Sequence, residues 1–313
     1  MPCPQETLAP ARASGHPSVM IILAAALLAT AAPAAPLQPD EIVAAAPAAA
    51  WRTIAPENLM LVESAAGTMV VELAPTFAPE HVAAIRTLVN AGRFDGGAIT
   101  RVQDNYVVQW AVKPLEGASG VGQPPDQRPL RTRPQPLPAE YERPLKSLDV
   151  TPLGSPDAYA EGGFAEGWPV GVDRKDGTAW LAHCYAMVGA GRDMPPDTGD
   201  SSELYAVIGH GPRHLDRNIT VVGRVISGIE PHSALKRGTA DLGFYATPAE
   251  QTKLVRVRMA DKVADAPRFE VMDTSSAAFA AYKTARANRT GFFVRPSGAV
   301  DLCNVRVPVR AAK

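Results

Sequence analysis

Eleven of the chain's 30 prolines lie between Lys113 and Asp176, with PPDQRPLRTRPQPLP at the centre of the run. Proline lacks a backbone donor and fixes φ, so it is disfavoured in helix interiors and central strands. Apolar periodicity fades over the same stretch. The regular structure must therefore be sought in the two flanking blocks, and 113–176 reads as a long irregular insertion with extended, polyproline-II-like pieces. Glu140, Tyr141, Glu142, Arg143 and Pro144 are its candidate docking point.

Both flanks read as strands. Leu59–Glu63 and Thr68–Leu73 surround an Ala-Gly turn, and the second is rich in β-branched residues. Pro75 and Pro79 stop it. Pro79 and Glu80 suit a helix's first turn, Val82, Ile85, Leu88 and Val89 recur at helical spacing, and Gly92 closes the helix. Strands are expected at Ala98–Val102 and Tyr106–Val112, and again at Thr178–Tyr185, Leu204–Ile208, Ile219–Val225 and Lys253–Met259. A helical patch near Ala277–Ala287 and an alternating run, Asp301–Val309, complete the tail. So many short strands with so few helices point to a mainly β protein with a closed or nearly closed sheet.

Ser18 to Ala35 carries no charge, and Val19–Leu28 is almost wholly aliphatic. That run is short for a bilayer span, which takes roughly 20 apolar residues. Ala32-Pro33-Ala34 fits the small-residue rule for signal-peptidase cleavage, although Arg12 and His16 make a weak basic region. The expectation is a signal peptide at 1–34, a periplasmic or secreted mature chain, and no stable membrane insertion after cleavage. Residues 35–56 read as an Ala/Pro-rich tether and 261–313 as an extension packing on the central domain, 57–260. Of the three cysteines, Cys3 leaves with the signal. Cys184 and Cys303 are either a disulfide, as an oxidising compartment permits, or two buried thiols.

Thirty-one basic and 32 acidic side chains give a formal charge of −1, which offers no field for a phosphate backbone. Nucleic-acid binding is not expected. His183, Cys184, His210, His214 and Asp216 include metal-ligand types, but Gly209, Gly211 and Pro212 make a turn of the His210–His214 spacing, and no HExxH or paired CxxC occurs. No metal and no cofactor are expected. Ser201 and Ser202 lack the G-x-S-x-G setting of a hydrolase nucleophile.

The stretch Phe94–Gln109, FDGGAITRVQDNYVVQ, is similar to the cyclophilin signature, in which a turn leads through strand, arginine, loop and aromatic residue to a strand glutamine. Thr68–Gly92 upstream, and Gly177–Tyr185, Gly199–Ile208 and His214–Gly223 downstream, follow in that family's order. The resemblance implies a closed eight-stranded cyclophilin-like β-barrel capped by helices. It also implies a monomeric peptidyl-prolyl cis-trans isomerase acting on proline-containing polypeptides. Arg101 then falls at the catalytic arginine and Gln109 at a substrate-binding glutamine. Tyr106, Val107, Ala182 and Leu215 fall at peptide-groove positions. The departures are His183 for an asparagine, Glu203 for a glutamine, Leu204-Tyr205 for a Phe-Phe pair, His214 for a tryptophan and Ile219 for a histidine. They make the pocket more polar and less aromatic, and they open a second reading: a weak or inactive module that holds such peptides or serves as a scaffold.

Overall fold

The computed structural model describes residues 36–113, 137–289 and 293–312. The expected signal peptide, 1–34, and the start of the Pro-rich run, 114–136, lie outside the described residues. In chain order, α1 (Pro39–Ala45) and β1 (Trp51–Thr53) precede β2 (Leu59–Ser64), β3 (Gly67–Leu73), α2 (Pro79–Asn90), β4 (Ala98–Val102) and β5 (Val107–Ala111). The inserted segment supplies β6 (Arg143–Pro144), β7 (Thr151–Pro152), β8 (Glu161–Ala165) and β9 (Trp168–Asp173), followed by β10 (Thr178–Leu181). Then come β11 (Met187–Ala190), β12 (Glu203–Val207), β13 (Val221–Ser227), α3 (Glu230–Ser233), β14 (Thr252–Met259), β15 (Phe269–Met272), α4 (Ala277–Asn288) and β16 (Val309–Ala311).

Eight of these strands close a barrel in the order β11-β12-β5-β4-β14-β2-β3-β13. Each pairing is antiparallel. Alternation sorts the side chains. Val62, Val71, Ile99, Val108, Trp110 and Leu204 fill the interior with essentially no exposure, and α2 closes one side of that core with Val82, Ile85 and Val89. An eight-stranded barrel is just wide enough to be filled by its own side chains, so any ligand must meet its outer surface.

Two expectations need correction. The second half of the Pro-rich run is not irregular: β6, β7, β8 and β9 join β10 in a five-stranded antiparallel sheet, ordered β6-β10-β9-β8-β7. Pro144 and Pro152 sit in the two edge strands, where a missing N–H costs nothing. Phe164, Val170 and Val172 are buried in the sheet. Its glycines serve close packing: a Cβ on Gly171 would lie 2.5 Å from the Trp180 ring on the facing residue of β10. Thr178–Leu181, expected in the barrel, belongs to this sheet.

Residues 36–56 are not a tether either. β1 pairs with β15, which pairs with β16, and α1 packs on α4. Trp51 and Ile54 are buried with Phe164, Phe279 and Leu302, in a second core that joins residues 36–56 and the C-terminal extension to the inserted sheet and the barrel's outside. Alanine-rich composition hid these two anchors. Glu140 does dock the insertion: its carboxylate accepts from the backbone N–H groups of Glu80 and His81, at 2.9 Å each, and from His81 Nδ1 at 2.7 Å, at the start of α2 where a negative charge is favoured.

Cys184 and Cys303 form a disulfide, with Cα atoms 4.9 Å apart and 119 residues of sequence separation. Closing so long a loop restricts the unfolded chain strongly; bonds of this kind contribute about 2–5 kcal/mol. Cys303→Ser is therefore expected to lower unfolding free energy by about that amount in a urea titration, with reductant having no further effect on the variant. A midpoint equal to that of the parent would contradict it.

Candidate active site

Register brings the expected residues into one row. Arg101 on β4 faces Gln109 on β5, Gln109 faces Tyr205 on β12, and Tyr205 faces Gly189 on β11. Their neighbours Val108, Trp110, Leu204 and Ala206 point into the barrel, so period-two alternation puts Gln109 and Tyr205 on its outer face.

Arg101 is half-buried and held on every side. Its Nε donates to the Leu242 carbonyl at 2.6 Å, its Nη1 to Gln109 Oε1 at 3.3 Å, and its Nη2 to Gln103 Oε1. The guanidinium carbon stands 5.4 Å from the Tyr106 ring centroid and 5.2 Å from that of Phe244. Aromatic faces on a cation favour its charged, fixed state. Leu242 and Phe244 come from a loop that lies along β4: Gly238 N donates to Val102 O and Tyr245 N to Thr100 O. Leu242 takes a left-handed φ of 57°. Sequence reasoning missed Gln103, Leu242 and Phe244. Only Gln103 stood within a recognisable motif, and a backbone carbonyl leaves no mark on sequence.

Gln109 is oriented by its other neighbour. Its Nε2 donates to Glu203 Oε2 at 2.9 Å, and a carboxylate can only accept, so Oε1 must face Arg101. Glu203 is buried behind Gln109 and acts through it. Tyr106 is half-buried; its hydroxyl meets His214 Nε2 at 3.3 Å, and the two rings stack with centroids 5.8 Å apart. Burial raises the Tyr106 phenol above its ordinary value, with the Arg101 charge pulling the other way. His214 is exposed and Leu215 half-buried, both on the 3₁₀ turn Gly211–Leu215. Val107 and Ala182 are buried in the same core cluster as Tyr205.

The His183 ring, expected at the peptide groove, is held inside the protein. It is 1% exposed, and both ring nitrogens are engaged: Nδ1 with Asp216 Oδ1 at 2.9 Å and Nε2 with the Tyr205 hydroxyl at 2.9 Å. No ring nitrogen is left to take a peptide. Burial holds the Tyr205 phenol well above its ordinary range, and the Asp216 carboxylate, an acceptor only, takes its hydrogen bond from His183 Nδ1–H. Asp216 Oδ2 accepts from Arg213 Nε at 3.1 Å, and Arg213 Nη1 and Nη2 grip Asp157 Oδ2 and Oδ1 at 3.0 and 2.8 Å. A fork-to-fork pair of this kind is the strong form of the ion pair. Among the described residues no group of three or more His, Cys, Asp or Glu converges as a metal site.

These pairs make stability pH-dependent. Burial pushes the Asp157 carboxyl up, but hydrogen bonds from Arg213 outweigh it and hold the group below its ordinary 3.8. Burial and the His81 hydrogen bond act against each other on Glu140 in the same way, with a net result below 4.5. Both carboxyls are more acidic folded than unfolded. Their contribution is therefore present above the unfolded values and lost as pH falls through the native ones. Unfolding midpoints should be flat with respect to these groups above pH 4.5 and drop below 3.8. Asp157→Asn should make the drop shallower, and an equally steep acid limb in that variant would refute the assignment.

Residues 59–259 match the family of cyclophilin type peptidyl-prolyl cis-trans isomerase/CLD. Similar curated proteins are named "Probable peptidyl-prolyl cis-trans isomerase" in Brucella suis biovar 1, at 25% identity, and in Brucella abortus, at 24%; each alignment spans 202 residues, 62% of this chain and 79% of the relative. The crystal structure of cyclophilin AquaCyp293 from Hirschia baltica has the same fold, with a TM-score of 0.61 and 24% identity over 83% of this chain and 93% of that one. With the family match covering the whole barrel and the structural likeness extending well beyond it, the chain belongs to the cyclophilin-type peptidyl-prolyl cis-trans isomerases.

Proposed function

We propose that this isomerase acts on exported proline-containing polypeptides and that Arg101 stabilises the twisted prolyl amide. The observation carrying the reading is the fixed guanidinium beside Gln109 on the barrel's outer face. Prolyl rotation meets a barrier of about 18–20 kcal/mol because amide resonance stiffens the C–N bond. No bond breaks, so the protein needs neither nucleophile nor metal; it needs to bind the twisted amide better than the planar one. Twisting frees the nitrogen lone pair, which a guanidinium N–H can meet. Gln109 offers an amide to the neighbouring carbonyl, and Tyr106, Val107 and Tyr205 supply the apolar and aromatic surface against which the prolyl ring packs.

Export is supported by the apolar run and small-residue motif before Ala35 and by the disulfide, which persists in oxidising compartments. Mass spectrometry of the mature protein should find an N-terminus near Ala35; intact Met1 in the soluble fraction would overturn cleavage.

The mechanism is tested by Arg101→Ala in a protease-coupled assay with Ala-Pro peptides. A charge-assisted hydrogen bond of roughly 1.5–3 kcal/mol implies a fall in kcat/KM on the order of 10- to 100-fold, borne mainly by kcat. Arg101→Lys should recover only part of it, since an ammonium lacks the planar fork. Wild-type efficiency in a folded Arg101→Ala protein would sink the reading and favour a passive peptide-binding module.

A further inference from the structure

Tyr205 stands where the resemblance places a phenylalanine, and its hydroxyl is an addition that a buried site must accommodate. An unpartnered phenol oxygen in such a place loses the full cost of its desolvation. Two features accommodate it. Gly189, facing Tyr205 across β11, has no side chain; a Cβ there would lie 2.2 Å from both Cζ and the hydroxyl oxygen of Tyr205. The ring therefore leans along the row over β11, on the side opposite Gln109 and Arg101. His183 Nε2 then takes the hydroxyl at 2.9 Å, with the two rings close to parallel at 12°.

His183 is not free to turn. Its Nδ1 and its backbone N–H both donate to Asp216 Oδ1, at 2.9 and 2.8 Å. The second oxygen of Asp216 holds Arg213, and Arg213 grips Asp157 with two hydrogen bonds. Arg213 and Asp157 are each 1% exposed as side chains. Asp157 lies between β7 and β8 of the inserted sheet. A continuous buried chain of charge-assisted hydrogen bonds thus runs from the insertion to the wall of the groove.

We propose that His183 is a positioning residue that hooks the Tyr205 hydroxyl over Gly189, keeping the space beside Gln109 and Arg101 open for the prolyl ring, and that Asp157 of the inserted sheet anchors the hook through Arg213 and Asp216. The inference rests on the reading of this row as the prolyl-peptide groove. The insertion is then part of the pocket's support. Releasing the hook frees the phenol to turn along the row toward Gln109, its partner on β5.

The test is a set of variants in the full mature chain, measured for KM and kcat with an Ala-Pro peptide and for peptide Kd by NMR titration. His183→Asn should raise KM and Kd about tenfold, with a smaller effect on kcat. Adding Tyr205→Phe removes the orphaned hydroxyl and should recover most of that loss, which a purely structural role for His183 does not predict. Asp157→Asn should raise KM in the Tyr205 chain but not in the His183→Asn/Tyr205→Phe background. Gly189→Ala, which retains every side chain from His183 to Asp157 but puts a Cβ against the Tyr205 hydroxyl, should raise KM by displacing the ring, and thermal melts confirm that each variant is folded at the assay temperature. Unchanged KM and Kd in folded His183→Asn or Gly189→Ala, or the same loss with Phe at 205, overturns the proposal. A parent chain that turns over peptide and loses turnover with Arg101→Ala in that outcome leaves the isomerase reading standing; a parent that neither binds nor turns over peptide overturns both.

Discussion

Closure of eight strands on a solid interior is the constraint from which the rest follows. Trp110, Val108, Leu204 and their neighbours fill the barrel, so it cannot admit a peptide, and every polar side chain with a role in binding must stand on the alternate residues facing out. Antiparallel pairing then decides which of those residues meet. Arg101 and Gln109 lie far in sequence from Gly189 and Tyr205, yet in the row Arg101, Gln109, Tyr205, Gly189 each is the direct partner of the next. A slip of one residue in any of these pairings would turn its strand's outer set inward, and packing of the interior forbids that.

The outer face is not left to solvent. A second core, separate from the barrel's interior, lies between the barrel wall, the inserted sheet and the small sheet of β1, β15 and β16. Tyr205 and Ala182 belong to it along with Phe164, Trp168, Phe279 and Leu302. The groove wall is therefore shared with the chain's additions to the barrel, and the Cys184–Cys303 bond fastens the C-terminal segment to the residue next to His183. In a plain eight-stranded barrel that wall would be supported by the barrel alone.

The barrel, and the placement of Arg101 beside Gln109, were legible because they rest on local signals. Alternation in Thr68–Leu73 and Lys253–Met259, the turn chemistry of Phe94–Gly97 and the spacing from Arg101 to Gln109 all act over short range. What escaped rests on distant partners. Pro144 and Pro152 look like strand breakers until their strands prove to be edges, and Gly171 looks like a loop residue until Trp180 is seen to lie on it. Trp51 and Ile54 are two apolar residues in an alanine-rich stretch, too few to signal a core without β15 beside them. The Leu242 carbonyl at Arg101 had no signal at all.

The substitutions that made the pocket look degraded form one exchange and not several losses. Taken singly, a histidine for an asparagine and a tyrosine for a phenylalanine each put a polar group into a buried wall, at a cost of about 1–3 kcal/mol if unpaired. Together they satisfy one another: His183 Nε2 and the Tyr205 hydroxyl share a hydrogen bond, Asp216 accepts from His183 Nδ1–H, and Arg213 bridges Asp216 to Asp157. Glu203 and Gln109 repeat the pattern one step along the row, the carboxylate fixing which end of the amide faces Arg101. Each partner of the exchange is needed by the next, and the outermost, Asp157, is supplied by the insertion. A barrel lacking that segment would leave Arg213 a buried charge with only half its partners, which is reason enough for the altered wall and the inserted sheet to occur in the same chain.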